Sequence, residues 1–191
     1  MSEHDEKIEG QVIEQELDPE RETRRRFALA QIRQYPDAAL KMAARPVELF
    51  DDELVKLAER MKQLMHEASG IGLAATQVGV LQRLFVFQPN DEDTVAVVNP
   101  EIVEHSEETD VADEGCLSIQ GVTVPVERSL EVTLVGKDEH GQDVRYELEG
   151  YFARCAQHEA DHLDGVLMLD RTTAEARREA LAVLRPRIVL Q

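Results

Sequence analysis

The stretch 157–162, which reads QHEADH, constrains the chain more than any other part of its sequence. His158 and His162 are four residues apart, so on a helix they share one face and can bind the same metal ion. Glu159 follows the first histidine directly, and a glutamate in that place is the usual general base of zinc hydrolases. A catalytic metal usually has three protein ligands and one open position, so the sequence must supply a third ligand from elsewhere.

The two cysteines, Cys116 and Cys155, are the candidates for this third ligand. Cys155 projects on nearly the same helix face as the histidines. At ~1.5 Å of rise per residue, however, it lies about 7 Å along the axis from a metal midway between them. Its side chain also leans towards the helix N-terminus, and a metal–sulfur bond of roughly 2.3 Å cannot span that gap. We therefore predict that Cys155 is a pocket wall and that Cys116, in the segment EGCLS, completes a Cys-His-His site.

Composition argues against several kinds of partner. The net charge of −18 argues against a nucleic acid or an anionic membrane as the main partner. No apolar run approaches the ~20 residues of a membrane span, and the acidic N-terminus resembles neither a signal peptide nor a transit peptide. Two cysteines in 191 residues fit cytosolic thiols better than a disulfide framework. We expect a cytoplasmic protein that binds no membrane and no specific nucleic acid.

The chain divides into two parts by composition. Residues 1–26 contain nine acidic residues and few large apolar ones, and they end in three arginines. This composition predicts an acidic, disordered tail, with at most a helical turn around 12–17. Residues 27–191 are predicted to form a single catalytic domain.

Hydrophobic spacing predicts an α+β fold. A helix from 54 to 68, capped by Asp51 or Asp52 and ended by Gly70, precedes several strands. The HExxH helix is predicted over 151–163, and a last helix over 173–184. The predicted strands are 84–87, 94–98 closed by Asn99 and Pro100, 122–124, 130–135 and 143–148, the last two joined by a turn at Gly141. We therefore expect antiparallel β-sheets packed around a central metal-binding HExxH helix, with an N-terminal helix and a C-terminal helix.

Three motifs, taken together and in order, resemble those of peptide deformylase. They are GIGLAATQ at 70–77, EGCLS at 114–118, and QHEADH at 157–162 continued by LDG. The similarity runs from about Ala28 to about Leu169. One departure is Gln120, which stands where a proline commonly follows EGCLSI in the family. The resemblance implies a metal-dependent hydrolase that removes the formyl group from the N-terminal formyl-methionine of newly synthesised proteins and releases formate.

The resemblance also implies the cofactor and the catalytic groups. One divalent metal is expected, with Fe²⁺ as the native ion and Zn²⁺, Ni²⁺ or Co²⁺ able to replace it, held by Cys116, His158 and His162. Glu159 would take a proton from the attacking water and deliver it to the leaving amine. The side-chain amide of Gln77 and the backbone N–H of Leu117 resemble the oxyanion stabilisers of the family.

Substrate contacts are expected around the first two motifs. The backbone at Ile71 and Gly72 could pair with an extended peptide, with Gly115 close by. Glu114 and Arg128 resemble an ion pair of the family that braces the EGCLS loop. The pocket for the methionine side chain is expected from Ile71, Tyr151, the stem of Arg154, Cys155 and the ring of His158.

Two alternative classes of protein remain open. The first is a general zinc metallopeptidase, which would draw its third ligand from a downstream His or Glu. No histidine follows His162, although Glu175 and Glu179 do. The second is a non-enzymatic, metal-stabilised binding protein. Glu159 and Gln77 argue against it, because neither is needed merely to hold a metal.

The expected partners are N-formyl-methionyl nascent polypeptides, and the protein is expected to be a monomer. The last predicted helix and the residues just after it carry Arg177, Arg178, Arg185 and Arg187. These arginines suggest a transient contact with the ribosome, although arginines at a helix end are more often only solvated.

Overall fold

Five α-helices and seven strands make up residues 18–189, the part of the chain that the computed structural model describes. The helices are α1 Pro19–Leu29, α2 Asp52–Glu67, α3 Gly150–Leu163, α4 Met168–Arg171 and α5 Ala174–Val189. The strands are β1 Gly72–Ala74, β2 Leu84–Phe87, β3 Val95–His105, β4 Thr109–Cys116, β5 Ile119–Ser129, β6 Glu131–Lys137 and β7 Asp143–Glu149. All pairings between these strands are antiparallel. The predicted α+β fold with antiparallel sheets is confirmed.

The larger sheet is a five-stranded sheet in the order β1-β2-β3-β6-β7, and helices cover both of its faces near β2. Successive residues of a strand point to opposite faces. Leu84 and Val86 accordingly pack in one core with α2, whereas Phe85 and Phe87 pack in another with α3. Because both faces are covered, all four residues of β2 are buried, and α3 is held inside the molecule.

The β4–β5 hairpin forms a second sheet of two strands. Ile119, Val124 and Val126 of β5 form a third core with residues of α4 and α5, including Leu169 and Leu184. Cys116 ends β4 and pairs with Ile119 across a two-residue turn. The hairpin therefore carries Cys116 to the side of α3.

The predicted disorder of residues 1–26 is wrong over 19–26, which form most of α1. Pro19 begins this helix, acidic residues occupy its first turn and Arg26 lies in its last turn, all favourable positions for a helix. Ala28 and Ile32 then bury their side chains in the core with α2. Composition did not predict helix α1, because the buried residues that hold it to the core, Ala28 and Ile32, follow the charged stretch. The rest of the predicted tail, 1–17, lies outside the described residues.

Helix α2 matches its prediction, with Asp51 as the N-cap, but its end differs. Ser69, rather than Gly70, adopts the left-handed conformation, with φ 60°. The N–H groups of Ser69 and Gly70 donate to the carbonyls of His66 and Met65 at 3.0 and 2.9 Å, which closes the helix as a Schellman motif. Gly70 has a different role, because a Cβ there would lie 2.7 Å from the side chain of Leu117.

Two strand predictions also need correction. Asn99 and Pro100 do not close β3. Asn99 takes φ 50° in a bulge, its side chain pairs with both backbone groups of Val47, and the strand continues to His105. Strand β4 was not predicted, so EGCLS lies at a strand end and turn instead of in a loop. Gly141, with φ 84°, does form the predicted turn between β6 and β7.

Within residues 18–189, helices long and apolar enough to cross a lipid bilayer are absent.

Candidate metal centre and active site

Three potential metal ligands meet between α3 and the β4–β5 turn. The ligand atoms of Cys116, His158 and His162 all lie within 4.8 Å of one another, and all three residues are buried. Cys116 Sγ is 3.3 Å from His162 Nε2, which is 3.2 Å from His158 Nε2. In a tetrahedral zinc site with bonds of about 2.0–2.3 Å, neighbouring ligand atoms are about 3.3–3.6 Å apart. The donor set and its spacing therefore fit a single divalent metal.

The orientation of His158 is set by a buried carboxylate. Its Nδ1 lies 3.0 Å from Oε2 of Glu114. Burial alone would raise the pKa of Glu114, but hydrogen bonds from His158 and Arg128 hold that pKa far below its usual range. Glu114 is thus ionised and can only accept, so Nδ1 donates, and Nε2, the atom nearest His162, is the ring nitrogen left to bind a metal.

Glu159 is buried beside these ligands and lies against the backbone of β1. Burial raises the pKa of Glu159 to about 7, with the nearby charge of His158 acting in the opposite direction. Its Oε2 has no hydrogen-bond partner among the described residues. A Cβ at Gly72 would lie 2.3 Å from Glu159 Oε1, so only glycine leaves room for the carboxylate in this position.

The amide of Gln77 points its NH₂ group at the ligand cluster. Its Oε1 accepts a hydrogen bond from the N–H of Ala74 at 2.8 Å, which fixes the orientation of the amide. Its Nε2 donates to Ser118 Oγ at 3.0 Å and lies 3.6 Å from Cys116 Sγ. Gln77 belongs to a short 3₁₀ helix, Ala75–Val78, that follows β1 directly.

Leu117 lies in the tight turn between β4 and β5, next to Cys116. Its carbonyl accepts a hydrogen bond from Gln34 Nε2 at 3.0 Å, and its side chain packs in the core with α2. Gln120, the departure from the family pattern, donates to Gln34 Oε1 at 2.9 Å. Gln34 therefore holds both ends of the turn that presents the Leu117 backbone to the ligand cluster.

A cavity of about 230 Å³ opens beside His158. The residues expected to form the methionine pocket all line it, namely Ile71, Tyr151, Arg154, Cys155 and His158, and so does Gly115. Cys155 Sγ faces the carbonyl of Ile71 at 3.6 Å, and burial raises the pKa of its thiol well above the usual range. The structure therefore brings these six residues together, with Cys155 outside the ligand cluster.

Arg154 does more than line the cavity. Its guanidinium donates to Glu114 Oε1 at 3.0 Å and to the carbonyls of Val126 and Asp110 at 2.7 and 2.9 Å. These contacts join α3 to both strands of the β4–β5 hairpin.

Asp161, the acidic residue before His162 in QHEADH, is a buried partner of two arginines. Arg128 Nη1 donates to Asp161 Oδ2 at 2.6 Å, and Arg171 donates to both carboxylate oxygens at 2.6 and 3.0 Å. Arg128 also forms the expected pair with Glu114, at 2.9 and 3.1 Å. The i+3 spacing of Asp161 from His158 placed it beside the site, but no sequence signal identified Arg171.

Comparisons with known proteins agree with this architecture. The family model described as polypeptide deformylase matches residues 29–178. A peptide deformylase of Thermotoga sp. (strain RQ2) is 48% identical over 146 residues, which is 76% of this chain and 88% of that protein. The crystal structure of the Thermotoga maritima peptide deformylase is 48% identical with a TM-score of 0.72, and the match covers 74% of this chain and 96% of that one. The crystal structure of a Legionella pneumophila peptide deformylase is 38% identical with a TM-score of 0.78, and the match covers 84% of this chain and 95% of that one.

The fold and the matches define an enzyme of the hydrolase class. The chain belongs to the polypeptide deformylase family, whose reaction removes N-formyl groups from nascent proteins.

Proposed function

We propose that this chain removes the formyl group from N-terminal formyl-methionine at the centre formed by Cys116, His158 and His162, with Glu159 as its general acid and base. One observation supports this proposal above all others. Within the part of the chain that matches the family, three buried ligand atoms lie within 4.8 Å of one another, and a buried carboxylate follows the first histidine.

Cys116, His158 and His162 would hold one divalent metal, for which we propose Fe²⁺ as the native ion and Zn²⁺, Ni²⁺ or Co²⁺ as replacements. When bound, such an ion supplies a Lewis acid that polarises the formyl carbonyl and lowers the pKa of a water molecule. The hydrogen bond from His158 Nδ1 to Glu114 supports this ligand role, because it directs the Nε2 lone pair towards the other two ligand atoms.

Glu159 is proposed to take a proton from the attacking water and to deliver it to the amine that leaves. A pKa of about 7 suits both steps near neutral pH, because the carboxylate can accept a proton and then release it. Its Oε2, buried and without a protein partner among the described residues, can meet a water or the substrate nitrogen.

Gln77 and the backbone N–H of Leu117 are proposed to stabilise the oxyanion of the tetrahedral intermediate. The hydrogen bond from the Ala74 N–H to the side-chain oxygen Oε1 of Gln77 supports this role, since it turns the NH₂ group towards Cys116. Leu117 is held in a tight turn next to the same residue. Removing one such donor from other enzymes costs about 3 kcal/mol of transition-state stabilisation.

The substrate is proposed to lie along β1 with its methionine side chain in the cavity beside His158. Strand β1 is an edge of the five-stranded sheet, so an extended peptide can add to it at Ile71 and Gly72. The cavity is lined on this side by Ile71 and Cys155, with the ring of Tyr151 and the stem of Arg154. Its size of about 230 Å³ is ample for one methionine side chain.

We further propose that the protein acts as a monomer in the cytoplasm on nascent polypeptides, without binding a membrane or a specific nucleic acid. Exposed arginines on α5, including Arg177 and Arg178, are available for a transient contact with the ribosome.

Formate release from a formyl-methionyl peptide, measured on protein loaded with Fe²⁺ or Ni²⁺, tests the proposed function. Metal content is measured on the same sample after desalting. We expect about one metal per chain and steady turnover. A protein that holds the metal but releases no formate would overturn the proposal.

The two cysteines provide a matched pair of variants for the metal centre. Cys116→Ala is expected to lose nearly all bound metal and activity, because it removes one of three ligands. Cys155→Ala is expected to keep the metal near one per chain, because its thiol only faces Ile71 and the cavity. The reverse result would show that the ligand set is wrong.

A further inference from the structure

We infer that Asp161 and Arg171 are positioning residues for the metal ligand His158, acting through Arg128 and Glu114. This inference rests on the proposed metal site. It adds two residues that lie outside the ligand set, the cavity and the oxyanion donors.

The four side chains form one continuous series of ion pairs that ends at His158. Arg171 donates to both oxygens of Asp161, Asp161 accepts from Arg128 at 2.6 Å, and Arg128 donates to both oxygens of Glu114. Glu114 in turn accepts from His158 Nδ1 at 3.0 Å. Each pairing that involves Arg128 uses separate nitrogens of its guanidinium, so its plane is fixed from both sides.

The side chains of this series become more exposed from His158 towards Arg171. The side chains of Arg128, Glu114 and His158 are each about 5% exposed, whereas that of Arg171 is 50% exposed. A buried guanidinium has no water to replace a lost partner, so Arg128 must take its position from the carboxylates that it contacts. Asp161 contacts the Arg128 guanidinium on the side opposite Glu114. Arg171, at the surface, in turn pairs with Asp161.

The position of Asp161 on α3 explains why it can serve this role. It follows His158 by three residues and precedes His162 by one, so the ion pairs of its carboxylate hold the helix segment that carries both histidines. Arg171 belongs to α4, which packs against β5. The series therefore connects the two elements that supply the three ligands.

The test compares variants that remove charge without removing bulk. Asp161→Asn and Arg171→Met are each matched by a control of the same type. Asp164→Asn removes a carboxylate that pairs with Arg83 at the surface, and Arg145→Met removes a half-exposed arginine of β7. Arg171→Lys, which keeps the charge and one contact, serves as the conservative variant.

Two measurements separate positioning from plain stabilisation. The first is the affinity of the metal-free protein for Zn²⁺, determined against a competing chelator. Residues that orient a metal ligand typically change such affinities 10–100-fold, and we expect a loss of about tenfold in Asp161→Asn and Arg171→Met. The second is the NMR signal of the His158 Nδ1–H in the metal-free protein, which we expect to move in both variants and to stay unchanged in both controls.

Arg171→Lys should recover most of the Zn²⁺ affinity that Arg171→Met loses. If Asp161→Asn does not fold, the half-exposed Arg171 variants carry the test alone. Folded variants with a lower melting temperature, but with the wild-type affinity and the wild-type imidazole signal, would overturn the inference. If the wild-type protein binds no Zn²⁺ through Cys116 and the imidazole signal still moves, the proposed metal site fails while the positioning of His158 stands.

Discussion

The core of the candidate site and the outer edge of the five-stranded sheet are both rich in ion pairs, yet the pairs differ in what surrounds them. Arg128 and Asp161 lie 2.6 Å apart with 5% and 11% of their side chains exposed. Lys137 and Asp143 at the sheet edge also lie 2.6 Å apart, but 41% and 89% of their side chains are exposed. Distance therefore does not distinguish the two pairs. Burial does, because water can replace a lost partner at the edge and cannot do so in the core.

The comparison also concerns chemistry. Exposed carboxylates of the sheet face solvent: Glu147 of β7 pairs with Arg145, and Glu104 of β3 pairs with Arg145 and accepts from the hydroxyl of Thr133. In the site, the same type of group is either ionised and fully paired, as in Glu114, or buried without a pair for one oxygen, as in Glu159. The second arrangement raises the pKa of the Glu159 carboxylate to about 7, because burial disfavours its ionised form.

The largest expected effect is on turnover. Glu159→Ala should lower kcat by about 10²–10⁴-fold, towards the upper part of this range, because the carboxylate serves both the attack of water and the departure of the amine. Metal content and KM should change little, since Glu159 is not a ligand and contributes little to ground-state binding. Formate release and metal analysis on one sample give the answer.

Glu147→Ala at the sheet edge is the control for this variant and should leave kcat unchanged. Near-normal turnover of metal-loaded Glu159→Ala would remove this residue from the mechanism. Loss of the metal would instead make it a ligand or a structural residue.

The next effect is on stability. Arg128→Met should lower the free energy of unfolding by about 3 kcal/mol, because Glu114 and Asp161 lose their shared buried partner while each keeps a second arginine, Arg154 or Arg171. Arg145→Met, the same change at the sheet edge, should cost about 0–1 kcal/mol. Urea unfolding of both variants measures the difference, and similar losses in the two would mean that burial does not set the value of these pairs.

A third prediction uses two glycines, one in each region. In Gly72→Ala the new Cβ would lie 2.3 Å from Glu159 Oε1, so the carboxylate must move, and we expect a loss in kcat of up to about 10²-fold with metal retained. Gly141→Ala, in the turn at the sheet edge, meets nothing closer than 3.4 Å but has φ 84°. It should therefore lose about 1 kcal/mol of stability and keep its turnover.

If the two substitutions change kcat equally, after correction for the folded fraction, then Gly72 is not needed to make room for the Glu159 carboxylate. Circular dichroism and formate release on both variants supply that comparison.

The smallest effect is expected outside both regions. Deleting residues 1–17 should leave formate release within a few-fold, because their composition is acidic and poor in large apolar residues, and the family match begins at residue 29. The deletion stops before Pro19 so that α1 stays intact. A folded truncation that loses a hundredfold or more in activity would assign a function to this segment.

The sequence predicted the elements whose signals are local. Helix α2 repeats its buried side chains at helical spacing, β2 is a short apolar run, and the last hairpin has its glycine turn. Strand β4 escaped prediction because its sequence, TDVADEGC, has few residues that favour strands and its first residues are exposed. It is a strand because β5 pairs with it along its length.

For the site, spacing on one helix brought His158, Glu159 and His162 together from the sequence, and elimination selected Cys116 between the two cysteines. The partners of Asp161 could not be found in this way. Arg128 is 33 residues away from it and Arg171 is 10, and neither distance corresponds to a repeat of any secondary structure. Only the packing of α4 and the β4–β5 hairpin against α3 brings these charges together.

The β4–β5 hairpin forms a sheet of its own, and among the described strands none from the larger sheet shares a hydrogen-bond ladder with it. Its ties to α3 are side-chain contacts, such as the paired hydrogen bonds of Gln157 with the backbone of Ser129. We therefore expect the hairpin, together with the α4 and α5 side chains packed on it, to exchange as one cooperative unit that is distinct from β2 and β3. In hydrogen exchange its amides should exchange together. Because Cys116 lies on the hairpin and both histidines lie on α3, an ion shared between them would slow that exchange.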